Sequence, residues 1–214
     1  MKIEGGRAYI DKQEVARRLI HAAIRATLRG ECPITNQVVI GSAITLMREF
    51  AQANGGKPMV DFDKFIVPEH AKGFEAAMKS HYNFFKHANH DAEYHHDVSN
   101  LTELNDLSIV TAIGEYVSLF KTRSIHMSLY YIYAMVKFPD VLTLPEEFEK
   151  SDAFPLLEDL KDYDRDTMLS LLAEFVEQGL LDAEIATDTE QLVRNTSPAY
   201  HQGNPHRDMF KRKL

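Results

Sequence analysis

Between Asp11 and Arg29 the apolar residues Ala16, Leu19, Ile20, Ala23, Ile24 and Leu28 recur three or four positions apart. That spacing puts them on one face of a helix. Gly30 and Pro33 interrupt the pattern, and Thr35 or Asn36 is predicted to cap a second helix with a stripe of Val39, Ala43, Leu46, Met47 and Phe50. Asn54, Gly55 and Gly56 end it with residues that tolerate left-handed backbone. Pro68 is suited to the first turn of a third helix, burying Ala71, Phe74, Met78 and Phe85. Thr102 is the predicted cap of a fourth, with Leu107, Val110, Ile113, Val117 and Phe120 inward. After a break at Lys121 to Ser124, a fifth carries Ile125, Leu129, Ile132 and Val136 until Pro139 stops it.

Residues 138 to 166 are acidic, contain Pro139, Pro145 and Pro155, and predict a connector of short turns. A last helix is predicted from about Asp166 to Gln178, with Met168, Leu171, Leu172 and Phe175 inward and Gly179 at its C-terminal end. No segment predicts a strand. The short connections imply an all-α fold, a multi-helix antiparallel bundle of about six to seven helices. Its expected organisation is a bundle core over 1–137, an acidic connector and packed C-terminal helix over 138–195, and a mobile basic tail over 196–214.

Composition narrows the class. With 214 residues, 44% hydrophobic and 26% charged, the chain suits one large globular domain and excludes a disordered or fibrous architecture. No window approaches the roughly 18 to 20 apolar residues of a membrane span, and MKIEGGRAYIDKQE lacks the apolar core of a signal peptide. The single cysteine, Cys32, suits a reducing compartment, so a cytoplasmic location is expected; no adjacent histidine or helix start activates its thiol in the sequence pattern. A net charge of −8 makes nucleic acid an unfavourable partner for the acidic body. In the tail, Arg207, Lys211, Arg212 and Lys213 against Asp208 leave a local balance of +3, suited to an acidic partner or a solvated terminus.

Candidate chemistry concentrates in HYNFFKHANHDAEYHHD, which holds His81, His87, His90, His95 and His96, five of the ten histidines, among Asp91, Glu93 and Asp97. If the third helix continues through it, His87 lies one turn from Asp91 and shares a face with His90. Imidazoles and a carboxylate so placed are ligands for a divalent metal such as zinc, and the candidate set is His87, His90, Asp91, His95 and His96. The competing reading is a solvated helix end whose histidines meet water and backbone groups.

Two enzyme classes bear comparison. His90–Asp91 and His96–Asp97 are each an HD dyad, which resembles the metal-binding dyad of helical HD phosphohydrolases, with His70 and Asp106 or Asp162 as further ligands. The apolar residues that precede such a dyad in that family are absent here. Size and helix content also resemble the HEPN ribonucleases, but Arg18–His21 and Arg123–His126 are spaced three apart, where that family's signature has four to six. Tyr130, Tyr131 and Tyr133 form an aromatic stretch that serves either as core or as a subunit interface; the second implies a homodimer.

YNFFKHANHD is similar to an NFFKHAD-like segment in a family of uncharacterised bacterial all-helical proteins with no known activity, a resemblance spanning about residues 11 to 139. It directs attention to Asn83, Phe84, Phe85, Lys86, His87, Ala88 and Asp91, with Asn89 where the family has Asp. Phe84 and Phe85 suit packing, whereas Asn83, Lys86, His87 and Asp91 form a polar set for a ligand or, equally, for capping the helix end. Lys86 favours an anion and His87 exchanges a proton near neutral pH. The sequence therefore leads to a helical binding or regulatory protein with a polar, metal- or anion-binding centre near residues 83–97. An enzyme would need that centre to gather ligands from elsewhere, with His21, His70 and His126 as candidates.

Overall fold

The computed structural model describes residues 2–4, 7–56, 66–87, 93–142 and 160–177. The chain is all-α in class, with six helices among these residues: α1 (Lys12–Leu28), α2 (Pro33–Ala53), α3 (Pro68–Lys86), α4 (Leu101–Phe120), α5 (Ile125–Lys137) and α6 (Arg165–Glu177). Of the connector predicted over 138–166, residues 143–159 lie outside the described residues, as does the basic tail over 196–214.

Helix α1 starts where Asp11 accepts a hydrogen bond of 2.7 Å from the Glu14 N–H, and it buries Ala16, Ile20, Ala23 and Ile24 along the predicted face. Gly30, at φ 60°, closes its C-terminal end. Helix α2 begins earlier than predicted. Pro33 occupies the first turn, where its missing N–H costs nothing, and Cys32 is the preceding cap residue. Asn36, predicted as a cap, is instead buried and donates to Thr27 Oγ1 at 2.8 Å, tying α2 to α1. Helix α4 likewise starts at Leu101 rather than after Thr102, with Asn100 at its cap position.

Helix α4 is the centre of the bundle. It packs on α1, α2, α3 and α5, and its buried residues run around the whole helix, including Asn105, Asp106, Ser108, Thr111 and Glu115. Gly41 on α2 lets the Tyr82 ring of α3 close over the backbone, because a Cβ there would overlap the ring. The tyrosines of α5 are core residues: Tyr130, Tyr131 and Tyr133 are all buried within this chain.

Two local expectations need correction. Lys2–Glu4 and Arg7–Tyr9 pair as an antiparallel two-stranded hairpin, β1 and β2, where no strand was predicted. Three residues per strand are too few to display a period, and the only sequence signal is the Gly5–Gly6 pair between them, a residue choice hairpin turns favour. On α6, Leu171 is 37% exposed while Met168 and Leu169 are buried. Arg165 is anchored in the bundle, so the inward face is Arg165, Met168, Leu169 and Leu172, spaced i, i+3, i+4, i+7, and Leu171 points away from it. No helix among the described residues is long and apolar enough to cross a membrane.

Candidate functional site

The histidine-rich segment does not continue α3. His87 is the C-cap, exposed and extended at φ −131° and ψ 130°, so α3 ends at Lys86 and does not run on past His87. His90 and Asp91 lie outside the described residues. Asn83 is exposed, and Lys86 donates to the Tyr82 hydroxyl at 2.8 Å with its ammonium 4.9 Å from that ring. His95 is exposed. His96 is half-buried, stacked on Phe84 at 4.6 Å and edge-on to His81 at 4.5 Å. His81 itself is buried, 2.9 Å from the Ala77 carbonyl and 3.1 Å from the Asp97 carbonyl, while Ser99 engages the Asp97 carboxylate. Packing thus holds this segment: among the described residues no three His, Cys, Asp or Glu side chains gather as a metal would require.

The residues offered as partners for an HD dyad do not share one environment. His70 is exposed near the start of α3, Asp162 is exposed before α6, and Asp106 is fully buried in a different constellation. Asp106 Oδ1 accepts from Tyr130 Oη at 2.7 Å and Arg165 Nη2 at 3.0 Å. Its Oδ2 accepts from Tyr133 Oη and Arg165 Nε, each at 2.8 Å. Burial and then the Asp106 charge push both phenols above the usual tyrosine range. Burial opposes the Arg165 charge, but the Asp106 hydrogen bonds and charge outweigh it and raise the guanidinium further. Every oxygen of this carboxylate is in use, which makes it a lock between α4, α5 and α6.

A second buried carboxyl, Glu115, meets Arg48 of α2 at 3.3 Å, and its Oε2 has no hydrogen-bond partner among the described residues. Burial raises it to about 7 against the opposing pull of Arg48. Cys32, contrary to the sequence pattern, stands at a helix start: it is exposed, and N–H groups of Thr35 and Ile34 lower its thiol.

The convergent polar geometry lies elsewhere, at the junction of α1, α4 and α5. A cavity of about 250 Å³ is lined by Asp11, Gln13, Glu14 and Arg17 of the α1 end, Tyr116 of α4, and Thr122 and Ser124 of the turn before α5. Ser124 caps α5 by accepting from the Met127 N–H at 3.3 Å, and shares a 2.8 Å hydrogen bond with Nε2 of His21. Behind it the His21 and His126 rings meet edge to face at 5.6 Å, both buried. Burial first, then the cationic neighbours His126, Arg17, Arg25 and Arg18, lower His21 to about 3. Glu14 accepts from Arg17 Nε and Arg18 Nε, each at 2.8 Å, and Gln13 Nε2 donates to Tyr116 Oη at 3.4 Å. Of the three histidines named as candidates from other helices, His21 and His126 therefore come together, behind Ser124 and outside the cavity lining.

No family model matches the chain, and no curated protein or solved structure matches it.

Proposed function

We propose that this is a cytoplasmic helical binding protein that holds a small polar ligand at the junction of α1, α4 and α5. The observation that carries the reading is the cavity of about 250 Å³ with an amide, a phenol, two hydroxyls and charged groups of both signs in its wall. At about 250 Å³ it is smaller than the roughly 300–1,000 Å³ of drug-sized ligand sites, so the ligand is a small polar solute, and the side chains that would orient one stand on helix ends fixed by packing. Asp11 and Ser124, both cap residues, hold the rim.

Binding fits better than catalysis. A Ser–His hydrogen bond in a pocket wall is the outline of an activated nucleophile. A general base, however, works best with a pKa near the operating pH, and burial beside three arginines leaves His21 far too weak to take the Ser124 proton. The pair instead ties α1 to the cap of α5 and keeps the pocket floor in place.

The test is a thermal-shift survey of small solutes, comprising polyols, amino acids, carboxylates and phosphates, on wild type and on Thr122→Trp, which fills the mouth from an exposed position. A solute that binds only the folded state raises Tm with concentration, by the equivalent of about 2.7 kcal/mol at a hundred times its Kd. Wild type is expected to respond to at least one class and Thr122→Trp to lose that response. A flat survey, or a shift that survives the filled mouth, sinks the reading.

A further inference from the structure

Building on the pocket reading above, we infer that the ligand carries a carboxylate or phosphate group, which binds Arg17 and Arg18 in the place Glu14 now holds. Glu14 is one carboxylate spread over two guanidinium groups: it takes Arg17 Nε at 2.8 Å, Arg17 Nη2 at 2.7 Å and Arg18 Nε at 2.8 Å. All three side chains are largely withdrawn from water, at 11% exposure for Glu14, 18% for Arg17 and 23% for Arg18. A planar guanidinium fork matches a two-oxygen anion, and Glu14 presents such a group from inside the protein. Both Glu14 and Arg17 line the cavity, so an incoming oxyanion meets the fork and its present occupant together.

Arginines recur along this part of α1, at Arg17, Arg18 and Arg25. Behind Ser124, burial first and then charged neighbours, Arg17, Arg25 and Arg18 among them, lower His21. The lining itself sets one cation, Arg17, against two carboxylates, Asp11 and Glu14, so the attraction for an anion is confined to the guanidinium groups that Glu14 now occupies. Asp11 stays engaged with the Glu14 N–H, leaving the helix start intact when the Glu14 side chain swings out. Gln13, Thr122 and Ser124 supply neutral hydrogen bonds for the rest of the molecule.

The experiment is isothermal titration of orthophosphate and, separately, malonate against sodium chloride at matched ionic strength. The two anions distinguish a phosphate source from a carboxylate source. Wild type is expected to bind one of them saturably, Arg17→Met to lose at least tenfold in affinity, and Glu14→Gln to gain roughly tenfold because the internal competitor loses its charge. Arg17→Lys keeps the charge without the fork and is expected to fall between wild type and Arg17→Met; it carries the test if Arg17→Met does not fold. No saturable binding to wild type and Glu14→Gln, or equal affinity in the two, overturns the inference. A neutral polyol that stabilises wild type and Arg17→Met alike overturns it too, while leaving the pocket reading standing.

Discussion

Asp106→Asn isolates the fold's main polar lock. The substitution keeps shape and volume and exchanges one carboxylate oxygen for an NH2 group. Four donors converge on the carboxylate, and each oxygen serves one tyrosine and one arginine N–H. Whichever oxygen becomes nitrogen, one phenol and one guanidinium N–H therefore face a donor. The Arg165 charge loses its buried counter-ion at the same time and keeps, among the described residues, only the exposed Asp166 at 3.6 Å. Removing one partner of a buried pair costs about 3–5 kcal/mol, and since the Arg165 side chain is 23% exposed and can recruit water, the lower half of that range applies. At about 2–4 °C per kcal/mol for a chain this long, Tm should fall by roughly 6–16 °C. Urea unfolding followed by circular dichroism measures it, and amide exchange in α6 should rise most, because Arg165 is that helix's polar anchor. Arg165→Met in the Asp106→Asn background should add less than it does in wild type, since the two share one interaction. A loss under about 1 kcal/mol, or strictly additive variants, would refute the lock.

Three further outcomes follow from the buried groups. Glu115 is 5% exposed and titrates at about 7 instead of its ordinary 4.5, so its contribution is complete below 4.5 and lost as pH rises through 7. Glu115→Gln should accordingly be more stable than wild type at pH 8 by up to about 3 kcal/mol, less any weakened contact with Arg48, and equal at pH 4.5; a gap that does not widen with pH contradicts this. His21, depressed to about 3 from 6.5, favours folding only while neutral, so its contribution is present above 6.5 and drains away as pH falls towards 3. His21→Gln should gain about 3 kcal/mol relative to wild type as pH falls from 6.5 to 4, read from urea midpoints of both proteins at the two pH values. Gly41→Ala should cost about 1–3 kcal/mol by driving Tyr82 off α2, and Tyr82→Ala in the same chain should recover part of it; an additive double variant argues against the close approach.

How much of this was legible depends on the distance along the chain over which each feature is built. The stripes of α1 and α3 are local, and Ile20, Ile24, Phe74 and Met78 are buried as their spacing demands. Helix α4 was legible as a helix but not as the centre, because Asp106 and Glu115 interrupt its apolar pattern and resemble a solvent face. Their partners lie 24, 27 and 59 positions later for Asp106, and 67 earlier for Glu115. A carboxylate set deep in an apolar helical window, with tyrosines on the next helix, was the available signal. The histidine segment shows the opposite failure. Its density is local, but its geometry required a helix to continue past His87, and the chain turns extended there. The pocket was half legible: Glu14, Arg17 and His21 are neighbours on α1, whereas Ser124 stands 103 positions from His21 and only the fold joins them.

The two displaced titrations also oppose each other in their effect on stability against pH. Between pH 4.5 and 6.5 the folded state holds a proton on Glu115 that the unfolded state releases, so stability declines with pH at about 1.4 kcal/mol per unit. Over the same interval the unfolded state holds a proton on His21 that the folded state refuses, and stability rises with pH at the same rate. The slopes cancel, so these two groups together leave stability level from about pH 4.5 to 6.5. The acid loss from His21 is then confined to the range from about 4.5 down to 3, and the alkaline loss from Glu115 to the range around 6.5 to 7. Each single variant should expose the slope its partner hides: stability falling with pH in His21→Gln, rising with pH in Glu115→Gln, and nearly flat when both are changed. Since His21 stands behind the cavity and Glu115 faces α2 across the bundle, their coupling would run only through the shared fold, and the double variant should equal the sum of the singles at every pH.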